Sequence, residues 1–509
     1  MPSGLIAAPP HVLYFKSGTT YWVIDPDYLT LEAAGAPPPG GDCAPAMANV
    51  LQYFSSLGDN PRVALKLGAR DYLLNSISTL NPAPANSGFS IIGKGQTVSR
   101  LVVPYAINTS GAIAITFADS YSQYLLRDFS VVAGNPGSSP DFSGGTAILM
   151  HGQGGKGGHQ YGGIVERLHI GADLDSGGNG YGYFTTGLDL QYTARPLVSQ
   201  TTVSGCEGNS VISNDDFSDT SPRYKMQTGI DVGECYSPMI RDSRVWNAAT
   251  GVSYDSEDMT TDPQGFDVSG CNMEGVRTGV YVRHANKSCP SGIIGSGEIA
   301  FRDIGLDIGN ISAWRFPNNL FFLQGTDADR SGNKAYDMSF IGSSKVTITG
   351  AGFGTFNDDA GPAGTRINIS IGTLDPGTGG DTFLIDTCIF GDGNATFAIS
   401  AIQITSTAGN IKIGASNFFY GTFTGPVVDD PTGVAVTQVG YPGGVVAPNG
   451  EATLGSAAVA WPSTFNQMHF LQQNPAPTFP SGWVGWSFYT DSSGTLWAWN
   501  GTIKKPLAP

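Results

Sequence analysis

A six-residue unit with an apolar residue at each end recurs along the middle of this chain. Its copies are LRDFSV (126–131), VERLHI (165–170), VSQTTV (198–203), IRDSRV (240–245), VSGCNM (268–273), IGSGEI (294–299), IGSSKV (341–346), IDTCIF (385–390) and IGASNF (413–418). The copies that start at 240, 268 and 294 follow each other at intervals of 28 and 26 residues. A repeat of this length indicates a solenoid, in which each rung buries its apolar side against its neighbours.

A short apolar strand opened by Thr-Gly or Ile-Gly accompanies the unit. Its copies are TGLDL (186), TGIDV (228), TGVSY (250), TGVYV (278) and IGLDI (304). Short strands alternating with glycine-bearing turns predict an all-β chain folded as a parallel β-helix. In the fourth place of the unit, Cys271 and Cys388 stand where other copies carry serine, which favours small buried turn residues.

The composition agrees with this fold and excludes several classes of function. Glycine accounts for 70 of 509 residues and charged residues for 13%, which suits many tight turns more than long solvated helices. The net charge of -16 argues against nucleic-acid binding. No apolar run is long enough to insert into a membrane, and the N-terminus lacks the usual pattern of a secretion signal. The cysteine spacing matches neither a disulfide framework nor a zinc site, so we expect no metal and no cofactor.

The two ends of the chain differ from the repeat. Residues 44–57 place Met47, Val50, Leu51, Phe54 and Leu57 on one face of a predicted amphipathic helix, with Asp42 as its N-cap. Such a helix can cover the open first rung. We therefore predict three regions: an N-terminal capping region over 1–110, the β-helix over 111–430, and a linker with a small aromatic-rich β-domain over 431–509. Within the last region, the runs 486–489 and 496–499 around DSSG predict a β-hairpin.

The order of motifs near the N-terminus resembles a known family. A Gly-Asp before a helix, a strand ending in GARDYLL (68–74), an IIGKG turn (91–95) and then glycine-rich rungs are similar to the start of the pectate-lyase-like, right-handed parallel β-helices of bacteriophage tailspikes. The family's usual acidic pair after Gly-Asp is replaced by Cys43 and Ala44. The resemblance implies a homotrimer on the phage tail that binds, and often cleaves, a bacterial capsule or lipopolysaccharide glycan. It also implies contact with phage tail or baseplate proteins.

Aligning the rungs by their Thr-Gly strands identifies candidate site residues. Side chains alternate along a strand, so one outward column should contain Asp189, Asp231, Ser253, Tyr281 and Asp307. A second outward column, two positions later, should contain Gln191, Gly233, Asp255 and Arg283. Neighbouring rungs lie about 4.8 Å apart, so Asp231 and Asp255 can act as an acid and base pair for glycosidic cleavage.

These columns give a candidate catalytic group and a candidate substrate-binding group. The catalytic candidates are Asp231, Asp255, Glu234 and Glu257, and the substrate-binding candidates are Tyr254, Tyr281, Arg283 and His284. As an alternative to catalysis, the outward aspartates can simply be solvent-exposed polar residues of this face, or form an ion pair with Arg283. His159 and His169 are possible bases, but the sequence pairs neither with a nucleophile.

Three functions remain open at this point. The first is a glycoside hydrolase that depolymerises a surface polysaccharide. The second is a non-enzymatic receptor-binding fibre whose acidic and aromatic groove recognises sugar. The third is a polysaccharide lyase, for which Arg283 is the candidate cation; an acidic chain suits an anionic substrate poorly.

Overall fold

The structure, a computed structural model, describes most of residues 29–439 and a few short strands outside that range. The gaps are 58–59, 77, 104–111, 120–121, 135–144, 153–159, 209–210, 212–219, 257–263, 285–288, 318–319, 325–334, 356–365, 373–380, 392–398, 406–408, 415, 420–422, 424, 426 and 431–434. The chain divides into two compact units, residues 1–456 and 457–509.

The first part of the chain contains the only helix of more than one turn among the described residues. Its elements are β1 (Tyr14–Ser17), β2 (Thr20–Val23), α1 (Ala44–Ser56), β3 (Arg62–Lys66), β4 (Asp71–Leu73), β5 (Ser78–Ala83), β6 (Gly88–Ile92), β7 (Arg100–Val103), β8 (Ile113–Phe117) and β9 (Gln123–Ala133). β1 and β2 pair antiparallel, whereas β3 to β9 already form parallel rungs.

The middle part contains the strands that carry most of the repeat units. They are β10 (Thr146–His151), β11 (Gln160–Tyr161), β12 (Gly163–Ala172), β13 (Thr186–Gln191), β14 (Thr193–Ala194), β15 (Leu197–Ser199), β16 (Thr202–Ser204), β17 (Met226–Asp231), β18 (Met239–Arg241), β19 (Arg244–Trp246), β20 (Ala248–Ser256), β21 (Phe266–Ser269), β22 (Asn272–His284), β23 (Cys289–Pro290), β24 (Gly292–Gly295), β25 (Gly297–Gly309), β26 (Ile311–Ser312) and β27 (Arg315–Phe316). A 3₁₀ turn, Pro222–Tyr224, precedes β17.

The last part continues the rungs and then changes to a separate small sheet. Its strands are β28 (Leu320–Gln324), β29 (Ala335–Ile341), β30 (Val346–Thr349), β31 (Gly352–Thr355), β32 (Arg366–Ile371), β33 (Asp381–Asp386), β34 (Ile389–Phe390), β35 (Ser400–Ile404), β36 (Gly409–Gly414), β37 (Phe418–Phe419), β38 (Val428–Asp429), β39 (Ala435–Val439), β40 (Phe470–Gln472), β41 (Ser487–Thr490), β42 (Leu496–Trp499) and β43 (Lys504–Pro506). β41 and β42 pair antiparallel, which confirms the predicted hairpin strands.

Most strands from β3 to β39 form one parallel sheet wound as a β-helix, as the repeat predicts, and the short strands β11 with β14 and β23 with β26 form two further parallel pairs. Each rung has three sides, which we call face 1, face 2 and face 3 in chain order. Face 1 holds the first apolar residue of the unit, for example on β18, and face 2 holds the second, for example on β19. Face 3 holds the Thr-Gly strands, for example β20. Parallel pairing reaches from β3 to β39, so the rungs begin before residue 111 and continue beyond residue 430.

The unit's sequence pattern has a direct structural cause. Ile240 and Val245 point inward and are 1% and 2% exposed, and the chain turns between them at Asp242, whose φ is +49°. The Thr-Gly glycine is required by close approach: a Cβ on Gly229 would lie 2.4 Å from a Val245 methyl group and 2.8 Å from the Gly251 carbonyl oxygen. Glycine at the corresponding position of the next rungs therefore allows the backbone of face 3 to approach face 2 closely.

Two of the predicted units are out of register. In the unit at 341–346, Ile341 is 45% exposed, and the residues that continue the inward columns are Ile348 and Phe353. In the unit at 413–418, Phe418 is 58% exposed, and Phe419 continues the column instead. The sequence pattern misassigned these two units because each stretch contains another apolar residue one or more positions away from the residue that points inward.

The C-terminal rungs contain an aromatic column that the repeat does not show. Phe322, Phe353, Phe390 and Phe419 stack along the inside of face 2, with ring-centroid distances of 5.3, 4.8 and 5.0 Å between successive rings. These offset-stacked rings replace the aliphatic residues of the earlier rungs.

The helix α1 covers the first rungs largely as predicted. Met47, Val50, Leu51 and Phe54 are buried, whereas Leu57 is partly exposed and does not belong to the buried face. The N-cap is Cys43 instead of Asp42. The Asp42 carboxylate nevertheless accepts a hydrogen bond from the Ala44 amide at 3.0 Å.

The remaining general predictions concern cysteines and membranes. All six cysteines are free and buried, including Cys271 and Cys388 in the fourth place of their units. Among the residues that the structure describes, no helix is long and apolar enough to cross a membrane.

Candidate active site

Face 3 brings the predicted outward residues into one continuous column. Asp189 is the register partner of Asp231, Asp231 of Ser253, Ser253 of Tyr281, and Tyr281 of Asp307. This is the column that the alignment of Thr-Gly strands predicts. Three of its five members are carboxylates, and two of these, Asp189 and Asp231, lie on neighbouring rungs.

Asp231 has the most perturbed carboxyl group of this column. It ends β17 between the buried residues Ile230 and Val232, and its Oδ1 accepts a hydrogen bond from the Gly233 amide at 3.0 Å. Burial raises the pKa of Asp231 to about 6, and the charges of Asp189 and Asp255 add to the rise, whereas the Gly233 hydrogen bond opposes it. Asp231 therefore retains a proton into the weakly acidic range, as a general acid requires.

Asp189 lies one rung before Asp231 and has a partner that the sequence analysis missed. The Nε2 atom of His151, at the end of β10, lies 3.0 Å from Asp189 Oδ1. His151 is the register partner of Gln191, so it occupies the second outward column of face 3. A long insertion separates its strand from the next one, and no Thr-Gly signal marks it, which is why sequence alignment of the rungs did not include it.

The second outward column places Asp255 beside the cation of the site. Asp255 is the register partner of Arg283, and the Arg283 guanidinium donates from Nη2 to the Asp307 carboxylate. Arg283 also lies 5.6 Å from the ring centroid of Tyr281. Burial raises the pKa of Tyr281, and the Asp255 charge contributes to the rise.

The other two catalytic candidates are Glu234 and Glu257, of which the structure describes only Glu234. Glu234 lies in the turn after β17 with a φ of +53°, so it is at the corner of the rung and not in the column of Asp231. Glu257 lies outside the described residues.

Two of the substrate-binding candidates face the wrong way. Tyr254 and His284 are 0% and 1% exposed and point into the β-helix, where their rings make an edge contact at 4.7 Å. The Tyr254 hydroxyl donates to the Cys235 carbonyl oxygen at 2.9 Å. The reason is strand alternation: Tyr254 lies between the outward residues Ser253 and Asp255, so its side chain must point inward. Tyr281 and Arg283, by contrast, are partly exposed on face 3.

The histidines considered as bases have different positions. His159 lies outside the described residues. His169 is on the outer side of face 2, where burial lowers its pKa, with Glu207 acting against this and Arg100 adding to it. His169 therefore does not belong to the face 3 group, in which the described histidine is His151.

Face 2 carries a second set of outward polar residues. Ser204, Trp246 and Glu274 follow each other in one outward column, and Thr202, Arg244, Asn272 and Glu298 in the column two positions before it. Burial raises the pKa of Glu274, with the Glu298 charge as the next cause. No group of three or more His, Cys, Asp or Glu residues arranged to hold a metal ion occurs within the described part of the chain.

Comparison with solved structures gives the same fold. DFA-IIIase from Arthrobacter chlorophenolicus A6, solved in complex with GF2, has a TM-score of 0.52 and 11% identity over 81% of this chain and 98% of its own. The A-module of mannuronan C-5 epimerase AlgE6 from Azotobacter vinelandii has a TM-score of 0.45 and 12% identity over 82% and 100%. The enzymatically active domain of tailspike protein 2 from bacteriophage CBA120 has a TM-score of 0.38 and 12% identity over 83% and 47%.

At these identities the likeness concerns the fold alone. No family model matches the chain, and no curated protein matches its sequence. The assignment of a function therefore depends on the residues of the site.

Proposed function

We propose that this chain is a glycoside hydrolase that depolymerises a bacterial surface polysaccharide, with its active site on face 3. The observation that carries the proposal is Asp231, a carboxyl group with a pKa of about 6 that stands next to Asp189 and is influenced by Asp255. Glycosidic hydrolysis needs one carboxylic acid that is still protonated and a second carboxylate that is ionised. The neighbouring rungs of face 3 supply both.

In the proposed reaction, Asp231 donates its proton to the glycosidic oxygen as the bond between this oxygen and the anomeric carbon breaks. Asp255 accepts a proton from the water whose oxygen forms the new bond to the anomeric carbon. The Asp189 carboxylate, held by His151, raises the pKa of Asp231 and so keeps the acid protonated. The reaction consumes one water and produces a reducing end and a free hydroxyl group.

Tyr281 and Arg283 are proposed to bind the sugar beside these carboxylates. The Tyr281 ring provides an apolar surface on which a sugar ring can stack. Arg283 holds the Asp307 carboxylate, which lies on the rung after Tyr281. Tyr254 and His284 are excluded from this role by their burial.

Lyase chemistry is the less favoured alternative for this face. A lyase acts on an anionic uronate and needs a cation to bind its carboxylate. Here the Arg283 guanidinium is already paired with Asp307, and the same columns hold Asp189, Asp231 and Asp255. The negative field of these carboxylates repels an anionic polymer.

One digest separates the three candidate functions. Purified capsule or lipopolysaccharide O-chain is incubated with the full chain, and both reducing ends and ultraviolet absorbance of unsaturated sugars are followed. A hydrolase releases reducing ends with no rise in absorbance. A rise in absorbance indicates a lyase, and binding with neither signal indicates a receptor-binding fibre.

We further propose that the chain works as a homotrimer on a phage tail, where it meets tail or baseplate proteins. The support is the resemblance of its N-terminal motifs to tailspikes and the aromatic-rich C-terminal sequence, which a trimer interface can bury. Light scattering at micromolar concentration is expected to give about three times the 53.2 kDa mass of one chain. A monomer mass would contradict the assembly but not the chemistry of face 3.

A further inference from the structure

Face 2 presents an aromatic side chain among carboxylates, away from the strands that carry Asp231. Trp246 ends β19 and is partly exposed on the outside of the β-helix. On the previous rung its register partner is Ser204, and on the next rung it is Glu274. The indole Nε1 atom of Trp246 has no hydrogen-bond partner among the described residues, although a buried donor is normally paired.

Charged side chains frame the indole on two sides. The Arg244 guanidinium, two positions earlier in the same strand, lies 5.7 Å from the centroid of the Trp246 ring. Glu274 lies on the next rung, where it is the register partner of Trp246. Glu298 lies one rung beyond, on the column of Arg244, and its charge also acts on Glu274.

The edge of this surface is held in place by side-chain hydrogen bonds. Asn247, the residue after Trp246, donates from Nδ2 to the Cys206 carbonyl oxygen at 2.9 Å. Its Oδ1 atom accepts a hydrogen bond from Arg223 Nη1 at 2.9 Å. These contacts attach the segments before β17 to the rung of Trp246, so the indole is presented on a braced part of the solenoid and not on a free loop.

An aromatic face beside paired carboxylates and a guanidinium suits one class of ligand. A pyranose ring stacks its apolar C–H face on an indole, while carboxylate oxygens accept hydrogen bonds from its hydroxyl groups and a guanidinium donates to its oxygens. The carboxylates outnumber the guanidinium, so an uncharged sugar is favoured over an anionic one.

We infer that Trp246, Arg244, Glu274 and Glu298 form a second glycan-binding site on face 2, which holds uncharged sugars of a long chain while face 3 performs the cleavage. The inference rests on the proposed function only in taking the ligand to be the same polysaccharide. Two sites on one solenoid increase the effective concentration of polymer at the active face.

The test measures binding without cleavage. The full chain with Asp231→Asn is immobilised, and the affinity for long, intact polysaccharide is measured at physiological salt. Adding Trp246→Ala is expected to weaken this affinity on the order of 10-fold, because stacked aromatic contacts contribute substantially to binding. Trp246→Phe, which keeps a ring, is expected to recover part of the loss. Thr202→Ala, on the column of Arg244 two rungs before Asn272, serves as the matched control and should bind within about twofold.

The outcomes separate this site from the proposed reaction. Equal affinity of the chains with and without Trp246→Ala overturns the inference, provided that circular dichroism shows the same β-rich fold. An equal loss with Thr202→Ala also overturns it, because the effect would then be general to the face. If the wild-type chain releases no reducing ends yet its binding depends on Trp246, the hydrolase proposal fails while the second site stands.

Discussion

Faces 2 and 3 of the same rungs carry paired carboxylates in different surroundings. On face 3, burial together with the charges of Asp189 and Asp255 raises the pKa of Asp231 to about 6. His151 contacts the Asp189 carboxylate, and Arg283 donates to the Asp307 carboxylate. On face 2, the carboxylates Glu274 and Glu298 lie on the two rungs that follow the rung of Trp246. The solenoid gives both faces the same spacing, so the side chains in the outward columns, and not the fold, distinguish the acid catalysis that we propose for face 3 from the sugar binding that we propose for face 2.

The largest expected effect tests the register on which this comparison depends. Replacing Ile240 by Asp puts an unpaired charge into the interior of the β-helix and should prevent folding. Arg241→Ser, one position later on the exposed side, loses only its surface ion pair with Asp267 and should fold normally. Soluble yield and thermal unfolding followed by circular dichroism measure both. Equal tolerance at the two positions would mean that the inward and outward columns are misassigned.

The next effect tests the acid on face 3. Asp231→Asn keeps the shape of the side chain but removes its titrating proton, so depolymerisation should fall by roughly 10²-fold or more. Folding raises the pKa of Asp231, so this group destabilises the protein as pH rises through about 6. The variant should therefore be at least as stable as wild type at pH 7. Asp267→Asn, an outward aspartate of face 1, is the control and should retain activity.

A smaller effect tests the role of the neighbouring charge. Asp189→Asn removes a charge that raises the pKa of Asp231, so the pH at which activity declines should move to a lower value. The profile of kcat/KM against pH measures the shift. An unmoved decline would show that Asp189 does not act on the catalytic acid.

The smallest effect concerns a buried group behind face 3. Burial lowers the pKa of His284 to about 4, and neither ring nitrogen has a hydrogen-bond partner among the described residues. The folded protein therefore loses stability as pH falls from about 6.5 towards 4, by about 3 kcal/mol in total. His284→Leu should flatten this loss in urea unfolding at pH 4 to 7. An unchanged slope would mean that His284 is not protonated on unfolding.

The sequence was sufficient where a local signal marks the rung. The Thr-Gly glycine is required by close contact with face 2, and it aligned Asp189, Asp231, Tyr281 and Asp307 correctly. It was sufficient for the hairpin strands near the C-terminus as well, because strand alternation and a turn sequence lie next to each other there.

The sequence was insufficient where the register depends on distant residues. His151 reaches Asp189 across an insertion whose length the repeat does not determine. Phe419 continues the aromatic column although Phe418 matches the unit equally well. For Tyr254 and His284 the sequence was sufficient, because alternation along the strand already places both side chains inside the β-helix. The prediction that they bind substrate did not take this alternation into account.

The central claim, that Asp231 is the catalytic acid of face 3, is tested most directly by the release of reducing ends from host polysaccharide between pH 4 and 9. Wild type should lose activity about tenfold per pH unit once the pH exceeds the Asp231 pKa of about 6, because the acid is then deprotonated. The residual activity of Asp231→Asn should lack this decline. A decline at the same pH in both proteins, or full activity in the variant, would contradict the assignment.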